Sequence, residues 1–150
     1  MVAPRNPNQI NVNIAVDVIR ALSEESLKDN LYMMDNNPFS DGLQSSGQGT
    51  DYLTTSCTPG QVIKWVVHAI DLQTPVSIRN IEFIVEGDHE QPGGHGVEEH
   101  SNRPDLKIWT GIVPSTMVVG QPYRYRVELQ MGDGQNSVMS VDSAALKRIY

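Results

Sequence analysis

The chain reads TPGQVIKWVVHAI from Thr58 to Ile70 and VGQPYRYRVELQM from Val119 to Met131, two stretches built to one plan. In each, a turn with a Gly-Gln pair opens a run rich in β-branched and aromatic residues whose side chains alternate in character. Runs of this kind, bounded by glycine and proline, are typical of strands in a sandwich of two sheets. The two stretches therefore predict two core strands of an all-β fold.

The alternation also predicts which side chains these strands bury. In the run at 123–131, Tyr125 falls on the apolar side and Arg124 on the polar side, which predicts one buried and one exposed face. In the run at 62–70, Trp65 lies on a uniformly apolar side, and Lys64 and His68 interrupt the other side. That pattern predicts a central strand covered on both faces. Core packing of Trp65 and Tyr125 is favoured over a sugar-stacking platform.

The rest of the chain continues in short extended segments. Apolar residues at every second position from Ile10 to Val18 predict a half-buried strand. A serine followed by two acids at 23–28 predicts one short helical turn. Residues 143–150 fit either a helical turn or an extended edge segment. Further strands are predicted at residues 31–34, 52–57, 78–85, 106–113 and 138–141.

These elements predict an antiparallel β-sandwich, jelly-roll or immunoglobulin-like in topology, with one or two short helical turns. The length of 150 residues fits a single domain over 1–150, of which residues 1–8 are a flexible lead-in, and such a domain buries roughly 70% of its unfolded surface. Two long polar loops interrupt the pattern, at 35–49 and 87–104. Loops of this length are often functional.

Charge and cysteine content narrow the function classes. The formal net charge is −7, with 18 acidic against 11 basic residues, which argues against nucleic-acid binding and against anionic membrane surfaces. A single cysteine allows no intrachain disulfide. The first residues carry no apolar leader and no stretch is apolar enough to span a membrane, so we expect a cytoplasmic protein.

The richest cluster of potential metal ligands lies in the second long loop. Residues 88–100 hold three histidines, His89, His95 and His100, and four acidic residues. Imidazole and carboxylate groups bind zinc, nickel or copper. Their spacing matches no closed ligand motif, so a solvated acidic loop is the alternative and the simpler interpretation.

The first long loop offers a candidate ligand site with oxygen donors. Asp35, Asn37 and Asp41 present carboxylate and amide oxygens of the kind that bind calcium or a polar ligand. The segment departs from an EF-hand loop, since Phe39 stands where a ligand is needed. Asn, Asp and Gly are also ordinary turn residues, which is the competing interpretation.

No catalytic signature accompanies these loops. Cys57 as nucleophile with His68 as base is the nearest approach to one, but no basic neighbour in sequence lowers the pKa of Cys57. A buried structural cysteine and a core histidine are the favoured interpretations. We therefore expect a protein that is not an enzyme and that uses no cofactor.

Six segments, in this order, carry a family resemblance: INVNIAVDV at 10–18, LYMMDN at 31–36, GTDYL at 49–53, PGQVIKW at 59–65, YRYRV at 123–127 and SVD at 140–142. Together they resemble the AidA/PixA inclusion-body protein family, over a span from about Gln9 to Ile149. The resemblance implies a small cytoplasmic bacterial protein made under quorum-sensing control, which self-assembles and is linked to host interaction. It implies no enzymatic activity, and 6 methionines argue against a methionine store.

Three functions remain in competition. The first is a structural protein that forms homo-oligomers. The second is a ligand-binding module, lectin-like or metal-dependent, that uses the loops at 35–49 and 87–104 for a small molecule or glycan. The third is an enzyme built on the histidine-rich loop, and it has the least support from the residues.

Overall fold

Eight strands and one short helix make up the described part of the chain. The structure is a computed structural model and describes residues 9–37, 43–70, 74–84, 107–132 and 138–149. The elements are β1 (Gln9–Val16), α1 (Val18–Glu24), β2 (Leu31–Asp35), β3 (Thr54–Cys57), β4 (Val62–Ala69), β5 (Val76–Phe83), β6 (Ile108–Ile112), β7 (Pro122–Met131) and β8 (Val138–Arg148).

The strands form two four-stranded sheets that share one core. The first sheet has the order β2-β1-β4-β6 and the second has the order β3-β8-β7-β5. Buried apolar side chains from both sheets belong to a single cluster, so the predicted all-β sandwich is confirmed. The expectation of purely antiparallel sheets is wrong, because β1 runs parallel to β4 and β3 runs parallel to β8. Other strands lie between the members of each parallel pair in sequence, which gives the chain the length that a crossover needs.

The helix begins earlier than the sequence predicted. Asp17, and not Ser23, caps it: the Asp17 carboxylate accepts a hydrogen bond from the Arg20 backbone N–H at 3.1 Å. The helix buries Val18 and Ala21 and ends at Glu24, and its C-cap residue Glu25 has a left-handed φ of 57°. The strand predicted over 10–18 therefore stops at Val16. Among the described residues, no helix combines the length and the apolarity that crossing a membrane requires.

The two Gly-Gln stretches form the same turn in the two sheets. The N–H of Gln61 donates to the Thr58 carbonyl at 3.2 Å, and the N–H of Gln121 donates to the Val118 carbonyl at 3.2 Å. The glycine of each turn has a left-handed φ, 84° at Gly60 and 83° at Gly120. This is the conformation that the third residue of a type II turn requires. One turn opens β4 and the other opens β7, each an interior strand of its sheet.

Each turn also fastens its strand to the end of a neighbouring strand. The Gly60 N–H donates to the carbonyl of Val113, just after β6, at 3.0 Å. The Gly120 N–H donates to the carbonyl of Arg148, the last residue of β8, at 2.8 Å. The two turns therefore fix where β4 and β7 begin within their sheets.

Trp65 and Tyr125 meet in the core, as predicted. Each stands five positions after the glycine of its turn, and their side chains are 1% and 0% exposed. The ring centroids are 5.4 Å apart with an interplanar angle of 66°, an edge-to-face contact between the two sheets. The Trp65 indole N–H donates to the Tyr125 hydroxyl at 3.2 Å, which satisfies the indole donor.

The structure corrects two further expectations. The segment 143–150 is extended up to Arg148, but it continues β8 between β3 and β7 and is not a sheet edge. β4 is central in its sheet, yet it is not covered on both faces: His68 is exposed and Lys64 is only half-buried. The first sheet is an outer layer of the sandwich, so its second face meets solvent. The prediction of His68 as a core histidine is therefore wrong.

We predict that the two turn glycines are needed for their φ and not for space. A Cβ at Gly60 or Gly120 would meet no atom within 4 Å. Gly60→Ala should therefore lower the free energy of unfolding by about 1–2 kcal/mol, the cost of a left-handed conformation with a side chain. Urea denaturation monitored by tryptophan fluorescence measures this change.

Two variants serve as controls for that measurement. Gly60→Asn should lose less, because asparagine tolerates the left-handed region. Gly47→Ala should lose more, because its Cβ would come within 2.8 Å of the Tyr52 carbonyl oxygen in addition to the backbone strain at φ 78°. A Gly60→Ala protein as stable as the unchanged chain would contradict the assignment.

Candidate functional site

The predicted site residues fall on both sides of the described boundary. His89, His95 and His100 lie outside the described residues, and so does Asp41. Asp35 and Asn37 are described and lie at and just after the end of β2. Within the ranges that the structure describes, no group of three or more His, Cys, Asp or Glu side chains is arranged to hold a metal ion.

Asp35 joins the edge strands of the two sheets. Its register partner is Val12, whose side chain is buried, so Asp35 also projects between the sheets. One carboxylate oxygen accepts from the Thr55 hydroxyl of β3 at 2.8 Å. The other accepts from the Gln48 side-chain amide at 2.9 Å and from the Asn37 backbone N–H at 3.1 Å. Both oxygens therefore already serve as structural acceptors.

Asn37 reinforces the same junction. Its side-chain amide donates to the backbone carbonyl of Ser56 on β3. The structure thus brings Asp35 and Asn37 together, as the ligand prediction required, and ties both to β3. Because Asp41 is not described, the proposed oxygen-ligand set of Asp35, Asn37 and Asp41 stays a prediction.

Cys57 and His68 do not form a nucleophile–base pair. Cys57 is fully buried at the end of β3, where its thiol donates to the Lys147 carbonyl at 3.6 Å. Burial raises the pKa of Cys57 to about 12, so the thiol is neutral at physiological pH and a poor nucleophile. His68 lies on the exposed face of the other sheet. The prediction of a buried structural cysteine is confirmed.

A cleft that the sequence did not reveal lies at one end of the second sheet. Its volume is about 370 Å³. Four stretches of the chain line it: residues 43–46, part of β3, the turn that opens β7, and the end of β8 with the residue after it. The lining residues are Leu43, Gln44, Ser46, Thr54, Ser56, Val119, Gly120, Lys147, Arg148 and Ile149. The only local signal was that residues 43–46 fall in the predicted loop at 35–49.

The wall formed by residues 43–46 is fixed by hydrogen bonds to β3. Ser46 and Thr54 exchange backbone hydrogen bonds of 3.0 and 2.8 Å. The Ser45 hydroxyl accepts from the Ser56 backbone N–H at 3.1 Å. This segment therefore belongs to the sandwich and holds the cleft in a defined shape.

The two basic residues of the cleft, Arg148 and Lys147, differ in their contacts with the rest of the protein. Arg148 donates to the carbonyls of Ser115 and Met117 at 3.2 and 2.9 Å, so its guanidinium supports the backbone. Lys147 is exposed and has no ion-pair partner among the residues with described positions. The cleft is lined by hydroxyl-bearing residues, by the lysine, and by the apolar residues Leu43 and Val119. This composition suits a small anion with an apolar tail.

Comparison with known proteins places the chain by family and by fold. Among solved structures, the inclusion body protein PixA from Burkholderia cenocepacia J2315 is similar, with a TM-score of 0.60 over 97% of this chain and 99% of that chain. At 10% sequence identity this likeness shows a shared fold alone, and at that level the predicted resemblance to PixA is confirmed. No curated protein matches the sequence. A family model, described as a domain of unknown function (DUF8788), matches residues 8–138, and the chain therefore belongs to the DUF8788 family.

Proposed function

We propose that this chain is a non-enzymatic cytoplasmic protein of the inclusion-body type, whose role is to self-assemble. The observation that carries the proposal is the shared sandwich. The inclusion body protein PixA from Burkholderia cenocepacia J2315 has the same fold over nearly the whole length of both chains. Fold alone does not determine function, so support from the residues themselves is needed as well.

The chemistry of the described residues supports a scaffold role. The one cysteine is buried with a raised pKa. One carboxylate oxygen of Asp35 accepts a hydrogen bond from Thr55 of the other sheet, and the other accepts from Gln48 and Asn37. Groups committed to structure in this way are poorly placed for acid–base or nucleophilic chemistry. Stability and surface contacts are then the properties on which the function rests.

We predict that self-association rises with protein concentration and with salt. The net charge of −7 makes copies repel one another, and salt screens that repulsion. Light scattering coupled to size-exclusion chromatography, at low and high salt, should show dimers or larger species. Electron microscopy of overexpressing cells should show ordered inclusions. A strictly monomeric protein at the highest attainable concentration would contradict the proposal.

The finer part of the proposal concerns regulation and biology. We place the chain near the AidA branch of the AidA/PixA family and propose production under quorum-sensing control, with a role in interaction with a host. The six segments quoted from residues 10–142 support this placement. Transcript levels should rise with cell density and with added autoinducer, and constant levels would contradict the regulatory part.

The cleft supports a second candidate function, that of a ligand-binding module. Ser46, Thr54, Ser56 and Lys147 are among the residues that line a cavity of about 370 Å³, within the usual size for a small-molecule site. In this alternative the loop at 35–49 contributes one wall through residues 43–46. The oxygen ligands Asp35, Asn37 and Asp41 and the metal ligands His89, His95 and His100 belong to the same alternative as predictions.

We predict that hexanoate, a carboxylate with a short apolar tail, raises the melting temperature through this cleft. Saturating ligand at about a hundred times its Kd stabilises the folded state by about 2.7 kcal/mol, which is a shift of several degrees. Lys147→Ala should abolish the shift, and Lys64→Ala, which changes a lysine on the other sheet, should keep it. A glycan array and added Ca²⁺ or Zn²⁺ test the lectin-like and metal-dependent forms. No shift with any of these ligands excludes the alternative.

A further inference from the structure

Two sheets of four strands leave four edge strands, and two of these are covered by the chain itself. Met33 of β2 exchanges backbone hydrogen bonds with Gly49 and Thr50, at 2.7 and 3.0 Å. Thr54 of β3 is paired with Ser46 in the same way. The segment 43–50 thus closes the flank of the sandwich on which β2 and β3 lie.

The third edge strand, β5, carries two recognised protections against pairing with another chain. A register shift interrupts its ladder between Ile78 and Asn80. β5 also carries charged side chains. Arg79 forms an ion pair with Glu128 of β7 at 3.5 Å, and Glu82 forms one with Arg126 of β7 at 3.2 Å. Bulges and charges on an edge strand disfavour the addition of a further strand.

Among the residues that the structure describes, nothing gives the fourth edge strand, β6, any of these protections. It reads Ile108-Trp109-Thr110-Gly111-Ile112, without charge and without proline. Its register with β4 is unbroken from Ile108 to Ile112. Within the described ranges, no backbone hydrogen bond is made on its outer edge. An uncharged and regular edge of this kind is a template for another strand.

The hydrogen bonds to β4 identify which groups of β6 point outward. The Lys107 carbonyl accepts from Val67 N–H at 3.0 Å, and the Val113 N–H donates to the Gln61 carbonyl at 2.8 Å. Backbone groups alternate along an antiparallel pair, so residues 107, 109, 111 and 113 face β4. Ile108, Thr110 and Ile112 therefore direct both their N–H and their C=O groups away from the sheet.

The side chains of these three residues make the same edge apolar. Ile108 is 42% exposed and Ile112 is 58% exposed, each beside a half-buried valine of β4 in register, Val66 and Val62. These three residues and their partners on β4 form a surface strip: Ile108, Thr110, Ile112, Val62, Lys64 and Val66. Its one charged residue is Lys64, beside Thr110. Although the chain carries a net charge of −7, no acidic side chain lies in the strip, so a second copy meets little like-charge repulsion there.

We propose that β6 pairs with β6 of a second copy of this chain, antiparallel and with a two-fold axis at Thr110. In this register Thr110 faces Thr110 of the second copy, and Ile108 faces Ile112 of the second copy. Each outward residue then exchanges both of its hydrogen bonds, and the two first sheets join into one sheet of eight strands. The inference rests on the proposed self-assembly and names its surface.

The first test removes one outward donor. Thr110→Pro deletes an N–H that β4 does not use, so the fold should persist while dimer formation weakens at least tenfold. Thr110→Val, which keeps the N–H, is the matched control and should dimerise like the unchanged chain. Sedimentation velocity measures the association, and circular dichroism confirms folding. Should Thr110→Pro fail to fold, Thr110→Lys places two like charges together at the axis and should weaken the dimer similarly.

The second test reads the register directly. Facing residues of a hydrogen-bonded antiparallel pair have Cα atoms about 5.5 Å apart, within the range of a disulfide. Thr110→Cys should therefore give a covalent dimer under mild oxidation. The unchanged chain should not, because Cys57 is buried and is the only cysteine. Ser140→Cys, exposed on the second sheet, should also remain uncrosslinked.

The outcomes separate this surface from the proposed function. Loss of the dimer in Thr110→Pro together with a disulfide in Thr110→Cys supports pairing through β6. If the unchanged chain assembles, but Thr110→Pro assembles equally and Thr110→Cys gives no disulfide, the β6 surface is overturned and self-assembly stands. If the unchanged chain stays monomeric at every concentration, both are overturned.

Discussion

The contact between Trp65 and Tyr125 is the interaction on which the rest of the sandwich depends. It joins β4 of one sheet to β7 of the other, with ring centroids 5.4 Å apart and an indole-to-hydroxyl hydrogen bond of 3.2 Å. Burial raises the pKa of Tyr125, so its hydroxyl stays protonated and neutral. Truncating a core aromatic of this size typically costs about 3–5 kcal/mol. The two sheets are therefore held in one relative position by a pair that also satisfies its own indole donor.

The turns that precede these strands explain why the two rings meet. Gly60 and Gly120 each start an interior strand five positions before its core aromatic, and each donates to the end of an adjacent strand. Since the offset is equal in the two sheets, Trp65 and Tyr125 reach the same depth of the sandwich. Local turn chemistry and core packing thus agree on one arrangement, as expected for a sequence that specifies one fold.

The sequence was most informative where local pattern and tertiary packing agree. Alternation predicted β4 and β7 and the burial of Trp65 and Tyr125, because period-two patterning is a direct record of which face is covered. It misplaced the helix because Asp17 and Ser23 are both good capping residues, and the choice between them depends on where Val18 and Ala21 pack. The alternation of side chains shows which face of a strand is buried, but it does not show which strand lies beside it. The parallel pairing of β1 with β4 could therefore not be predicted from the sequence.

The candidate site was less predictable, for a physical reason. The cleft draws Leu43, Val119 and Lys147 from three parts of the chain, and their proximity exists only after both sheets have formed. Asp35 was recognised as a chemically capable residue, but its bonds to Thr55 and Gln48 depend on the closure of one flank. His68 was misjudged because Val62, Val66 and Ile70 make its face of β4 mixed in character, although Lys64 and His68 were the local sign that this face meets solvent.

The closed flank at β2 and β3 limits how copies of this chain can assemble through their sheet edges. β2 and β3 are occupied by the chain's own segment 43–50, and β5 is protected by a bulge and charges, so β6 is the one strand edge left to share within the described part of the chain. Each copy can therefore pair with one other copy through a strand edge. A symmetric pair uses that edge twice and ends there, so edge pairing alone gives closed dimers and no open fibre. An inclusion that grows in three dimensions then needs further contacts between the faces of these dimers. Its order would be that of a crystal and not that of a cross-β filament.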